Sequence, residues 1–252
     1  MSENISSNVL FHFTKSMENL KSILKNGFYP RYCPEYTLDP LDQKAVSDGI
    51  SPMRAAPLVC FCDLPLSLIR KHLAEYGHFG IGLSKEWGFK HGVTPVIYTH
   101  RGAQTFEPIS HLVAEAEKSS DRTSRSDLMI LAAYTKPYVG AAWRDNKVQP
   151  DVRFYDEREW RYVPVVGGGN SLFLSREDYA DGAKRNALQE GFKTHDALSI
   201  HPDHIQYLVV PESADERNIL DLAHFVKGLY EPDDAILVTT AIMTSDCIRE
   251  DV

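Results

Sequence analysis

Four cysteines in 252 residues are too few to staple a fold, which excludes the disulfide-dense secreted class. No apolar run approaches the ~20 residues needed to cross a bilayer, so no membrane partner is expected. Met1 to Asn8 contain neither a basic n-region nor an apolar h-region. No signal peptide is therefore expected, and a cytoplasmic location is the default. Positive charge is also scarce: 27 Lys and Arg stand against 35 Asp and Glu, a formal net charge of −8. This balance argues against a broad basic surface for duplex nucleic acid, while leaving room for a local basic groove. There is no internal repeat, no low-complexity segment and no evident linker, so one domain over residues 1–252 is the simplest expectation. What is there is ordinary for a globular α+β chain, with 43% hydrophobic and 25% charged residues.

The cysteines invite a metal reading that the spacing does not favour. Cys33, Cys60 and Cys62, with His72 or His78, would make a zinc set on paper. Cys60-x-Cys62 lacks the two-residue separation of a zinc knuckle, and Leu58 to Cys62 reads as a buried strand in which thiols act as small apolar side chains. No metal is expected.

Periodicity outlines the elements. Val9 to Phe13 reads as a strand, followed by a helix capped by Ser16 or Thr14 in which Met17, Leu20, Ile23 and Leu24 recur, ending at Asn26-Gly27. Residues 29–57 show little periodicity and read as a functional loop or lid. Further on, a helix is expected from Leu66 to Tyr76, strands at Ile81 to Leu83 and Pro95 to Tyr98, and a helix over residues 106–118. Ser119 to Ser126 reads as a polar break before a helix from Leu128 to Tyr138. Toward the end, strand Ile205 to Val210, helix Ala214 to Tyr230 and a β-branched strand Ala235 to Met243 suggest parallel strands joined by a helix.

Phe154 to Val163 carries the most chemistry. As a strand it would place Phe154, Trp160, Tyr162 and the Arg158 stem on a core face, and Tyr155, Glu157, Glu159 and Arg161 on the other. Two carboxylates at i and i+2 repel, so they require solvent, a nearby cation or a function. One reading is a solvated strand face with Arg161 as partner. The other is a cleft in which a carboxylate stabilises positive charge developing on a substrate. Glycoside hydrolysis is disfavoured, because acids on one strand face do not flank a sugar.

Other combinations carry less. His12 lies in an apolar strand, where a hydrogen-bonded core histidine is the plain reading. The Gly77-x-x-Gly80-x-Gly82 spacing matches neither a Walker loop nor a dinucleotide fingerprint. Its glycines either serve a tight turn or let a flat ring approach the backbone near Tyr76. Ser84, His78 and Asp63 form a nucleophilic triad only on paper, without a Gly-x-Ser-x-Gly elbow. Arg122, Arg125, Lys136, Arg144 and Lys147 surround the polar break and offer either a solvated face or a single-strand nucleic-acid surface.

Taken together, Leu10-Phe11-His12-Phe13-Thr14 with Leu20-x-x-Ile23-Leu24-x-x-Gly27, Val59 to Pro65, Tyr76-Gly77 to Leu83, and Glu157-Arg158-Glu159-Trp160-Arg161 resemble the AbiGi-type abortive phage resistance proteins, which are commonly labelled as antitoxins. More distantly the order is similar to the ADP-ribosyltransferase fold, including DarT-like DNA-modifying toxins. That second resemblance implies a single α+β domain with a split, mainly antiparallel β-core flanked by helices, gripping NAD as substrate. His12 and Thr14 would belong to the His-x-Thr-like strand, with His12 on an NAD ribose. Tyr76, or equally Tyr98, would stack on nicotinamide, and Arg54 would contact the phosphates. Glu159 would match the fold's catalytic glutamate and Glu157 the upstream acid of Glu-x-Glu enzymes. The Ser-Thr-Ser strand of the arginine class is missing, which leaves the histidine-type arrangement.

The implied activity is NAD-dependent ADP-ribosyl transfer to a protein or nucleic-acid acceptor, in phage defence or a toxin–antitoxin system. A variant in which water replaces the acceptor is indistinguishable from sequence. The alternative is a non-catalytic antitoxin or partner-binding module of the same fold, whose acidic balance would suit a basic cognate partner.

Overall fold

The computed structural model describes residues 6–35, 54–100, 102–118, 120–144, 147–165, 172–211 and 217–245. In chain order the elements begin with β1 (Val9–Thr14), α1 (Met17–Asn26), β2 (Arg31–Glu35) and β3 (Arg54–Cys62). Next come α2 (Arg70–Tyr76), β4 (Phe79–Ser84), α3 (Lys85–Lys90), β5 (Thr94–Pro95) and β6 (Ile97–Thr99). They are followed by α4 (Phe106–Lys118), α5 (Arg122–Ala133), β7 (Thr135–Pro137), β8 (Val139–Arg144), β9 (Lys147–Arg153) and β10 (Glu159–Tyr162). Then β11 (Leu174–Ser175), α6 (Arg176–Ala180), α7 (Gly182–His195), β12 (Ile205–Val210), α8 (Arg217–Leu229), α9 (Pro232–Thr240) and β13 (Ile242–Thr244). The pairing is mainly antiparallel, and the chain divides into two compact units. One comprises residues 1–28, 60–94 and 197–252, the other residues 29–59 and 95–196.

In the first unit the strand order is β13-β12-β4-β1. β1 and β4 pair antiparallel with Phe11 opposite Gly82 and Phe13 opposite Gly80. A Cβ on Gly80 would lie 2.7 Å from the Phe13 ring, and one on Gly82 2.7 Å from the Phe11 ring. The glycines therefore do receive flat rings, but the rings are the protein's own. Phe11 and Phe13 stack at 5.8 Å and pack with Ile69, Leu73 and Val209. On the other side of β1, His12 meets Phe28 and Phe61 edge-on, and both phenylalanines contact the fully buried Trp87. Ser16, not Thr14, caps α1 by accepting from the Asn19 backbone N–H at 3.2 Å.

The second unit is built around β2 and the first residues of β3, paired antiparallel with Arg31 opposite Leu58 and Glu35 opposite Arg54. β11 also pairs with β3, placing Leu174 against Ala55, and these two join Tyr32 and Phe192 in a small core. β6 and β7 are parallel, and β8 and β9 form an antiparallel pair.

Several expectations require correction. Phe154 to Val163 is not one strand: Phe154–Glu157 form a 3-10 turn, Arg158 takes a left-handed conformation at φ 43°, and β10 starts at Glu159. The expected strand Ala235 to Met243 is mostly α9, with only β13 extended. β-branched content misled there, because Pro232 at the helix start and Asp233 and Asp234 in the first turn are helix-start signals. β13 is nevertheless parallel to β12, as a strand–helix–strand unit requires. The polar break is largely α5, while Thr135–Pro137, assigned to the following helix, is extended. Residues 29–57 contain β2 and the start of β3, and residues 36–53 lie outside the described residues.

Candidate functional site: a buried charge cluster

The turn at Arg158 shapes the acidic motif. Because Glu157 ends a 3-10 turn and Glu159 begins a strand, simple alternation does not govern their directions. Both carboxylates converge on Lys136 of β7, whose Nζ lies 2.7 Å from Glu157 Oε2 and 2.6 Å from Glu159 Oε2. Arg161, two residues along β10, donates from Nε to Glu159 Oε1 at 2.6 Å and from Nη2 to Oε2 at 3.1 Å. The same Nη2 donates to Glu35 Oε1 at 2.6 Å, and Nη1 donates to the Ala133 carbonyl at 2.7 Å. The cation demanded by paired acids is thus present twice.

The cluster is enclosed. Arg161 is fully buried, and Glu157 and Glu159 are only 7% and 6% exposed. Trp160 and Tyr162, expected to face a core, are the half-exposed residues of β10. The charged face is the buried one, and this reverses the expected orientation. Lys136 also sits 4.6 Å above the Phe154 ring, and the Tyr98 hydroxyl accepts from the Glu159 backbone N–H at 2.9 Å.

Burial alone would raise the Glu159 carboxyl, but Arg161 and Lys136 overcome it and hold the group well below the usual carboxylate range. Glu35 goes the other way: its burial outweighs Arg161 and Lys136, and its carboxyl is raised. Burial disfavours the charged Lys136, yet Glu159, Glu157 and Glu35 more than compensate and raise it well above its ordinary value. Burial and the neighbouring Glu35 carboxylate push the Cys33 thiol up to about 12, so it is no nucleophile at neutral pH. Fully ionised, three carboxylates and two cations leave one negative charge.

The expected site residues divide between the units. Glu157, Glu159 and Arg54 lie in the second, where Arg54 stands opposite Glu35 in the strand register. Tyr98, the alternative stacking ring, is in that unit too and touches the cluster. His12, Thr14 and Tyr76 lie in the first unit. The His12 Nδ1–H donates to the Cys60 carbonyl at 2.8 Å, and Thr14 Oγ1 accepts from Asn19 at 3.0 Å. Tyr76 is 38% exposed and lies 5.5 Å from the His72 ring. Gly77 has φ 120° and a Cβ there would meet the Thr14 carbonyl oxygen at 2.2 Å, so only glycine fits. Among the described residues, no group of three or more His, Cys, Asp or Glu side chains is arranged to hold a metal.

Two members of the cluster, Lys136 and Glu35, escaped sequence reasoning. Lys136, expected on a basic surface, is buried among acids and does not face a nucleic-acid groove. Pro137, expected near the end of the Leu128 to Tyr138 helix, instead stops it early, since a residue before proline is driven from helix toward extended backbone. The side chains of Arg122, Arg144 and Lys147 lie outside the described residues.

The site is therefore an ion-paired, buried constellation in an α+β protein with mainly antiparallel strands. A family described as "Putative abortive phage resistance protein AbiGi, antitoxin" matches residues 26–211, most of the chain. The chain belongs to the AbiGi family. It is 28% identical over 168 residues to the abortive phage resistance protein AbiGi of Lactococcus lactis subsp. cremoris, covering 59% of this chain and 66% of that protein. The match thus spans just under two thirds of the relative's length. No solved structure matches the chain. Among the described residues, no helix is long and apolar enough to cross a membrane.

Proposed function

We propose that this protein acts in abortive phage resistance as a non-catalytic antitoxin, neutralising a cognate toxin by direct contact. Family membership over residues 26–211 supports the setting. The observation that carries the non-catalytic reading is the occupation of Glu159: 6% exposed, it is bonded by both Lys136 and Arg161. A carboxylate stabilises a developing oxocarbenium by facing the ribose, and cations bonded to both of its oxygens oppose that role. Here the charge serves to bind β7, β10 and the end of β2 together. The net charge of −8 suits a basic toxin surface. The test is co-expression with the product of the adjacent reading frame. Restored growth together with a stable complex of the two purified proteins is the expected result. A toxic neighbour that this chain neither binds nor neutralises would overturn the reading.

One arrangement favours a second reading, NAD-dependent ADP-ribosyl transfer on an ADP-ribosyltransferase-like fold. Glu157 and Glu159 converge on Lys136, and Tyr98 and Tyr155 lie close by, with their rings 5.2 Å apart. On this reading Glu159 bonds the ribose 2′-hydroxyl once Lys136 or Arg161 shifts, Tyr98 stacks on nicotinamide, and Glu157 orients the acceptor. Nicotinamide release from NAD, assayed with RNA, DNA and cell protein as acceptors, decides it. Release by the wild type that is lost in Glu159→Gln supports transfer, and a folded wild type without release or NAD binding excludes it.

A further inference from the structure

We infer that the outward face of α9 is the surface that docks the partner, a protein presenting apolar side chains ringed by Lys and Arg; this rests on the antitoxin reading above. Ala235 and Val238 are buried on the inner side of α9, which packs along α8. Ile236 and Leu237 lie outside at 63% and 45% exposure. Asp233, Ile236, Leu237 and Thr240 follow the i, i+3, i+4, i+7 spacing, so they form one continuous stripe. Ile236 and Leu237 are apolar side chains on a face that no other described residue buries, while Ala235 and Val238 on the opposite face are covered.

The rim supplies the sign of the partner. Glu231, Asp233 and Asp234 lie at the start of α9, and none of them is in an ion pair among the described residues. Their position favours the helix dipole, but that role does not require exposed Ile and Leu beside them. An approaching surface with cations around an apolar centre satisfies both features. A second copy of this chain would bring the same three acids and is the poorer occupant.

The test uses the full chain and two defined probes, a 20-residue amphipathic Leu/Lys helix and a Leu/Glu helix of the same pattern, measured by calorimetry. The Leu/Lys peptide is expected to bind the wild type and the Leu/Glu peptide to fail. Ile236→Glu with Leu237→Glu should weaken binding by about tenfold or more. Asp233→Asn with Asp234→Asn, checked for native circular dichroism, should flatten its salt dependence. Equal binding of both peptides, or binding unchanged by the glutamates in a variant with native circular dichroism, overturns the assignment. The growth assay separates the two ideas. Neutralisation that survives the glutamate pair removes the docking surface and keeps the antitoxin. A wild type that never neutralises removes the antitoxin reading, and the peptide measurement still decides the surface.

Discussion

β4 and β10 are each held on a buried face, and they are held by opposite chemistries. On β4, Gly80 and Gly82 lie beneath the rings of Phe13 and Phe11, and the contact is shape alone. On β10, Glu159 and Arg161 are buried and fixed by ions from β7 and the end of β2. Apolar packing fails gradually, by a methyl group or a small void. An ionic cluster fails at once when a shared cation is removed, because the carboxylates it bonded are stranded in a medium that cannot solvate them.

The largest expected effect therefore belongs to the charges. Lys136→Met keeps the stem but leaves Glu157 and Glu159 without their shared cation, and should cost about 3–5 kcal/mol in urea unfolding. A loss below about 1 kcal/mol would show that water already screens the cluster and would break the contrast with β4. Gly82→Ala comes next. The new Cβ meets the Phe11 ring at 2.7 Å and Val9 Cγ1 at 2.9 Å, so overpacking of about 1–3 kcal/mol is expected from the same measurement. A neutral outcome would mean that Phe11 swings aside without penalty.

The contrast also explains what the sequence made legible. In the first unit, Leu10, Leu20 and Leu83 are buried where apolar periodicity placed them, and Ser16 and Gly27 bound α1 as cap chemistry requires. The glycines of β4 left two readings open, because the rings that cover them come from another strand. In the second unit the pattern inverted: a buried face made of Glu159 and Arg161 reads as solvent-exposed to any rule that equates charge with water. Its compensating partners, Lys136 and Glu35, lie 23 and 126 residues from Glu159 and Arg161 respectively, beyond the reach of local spacing. The left-handed Arg158 carries no glycine to announce it.

The smallest effect sharpens the comparison within the cluster itself. Glu159 and Glu35 share Arg161 but should respond to pH with opposite signs. With its folded value depressed, Glu159 contributes stability that is fully present above the ordinary carboxylate range and fades as the pH falls through the folded value. Glu35, raised by burial, favours its protonated form in the folded state, so its contribution is fully present below the ordinary range and fades as the pH rises through the folded value. Glu35→Gln keeps an acceptor for Arg161 Nη2 and removes the surplus negative charge, leaving two carboxylates with two cations. It should match the wild type in acid and equal or exceed it by about 1 kcal/mol or less above neutrality. Urea midpoints at pH 4 and pH 8 for wild type and Glu35→Gln measure this crossing. A variant less stable than wild type at pH 8 would make Glu35 a paired anion like Glu159, and the cluster would then need its residual negative charge.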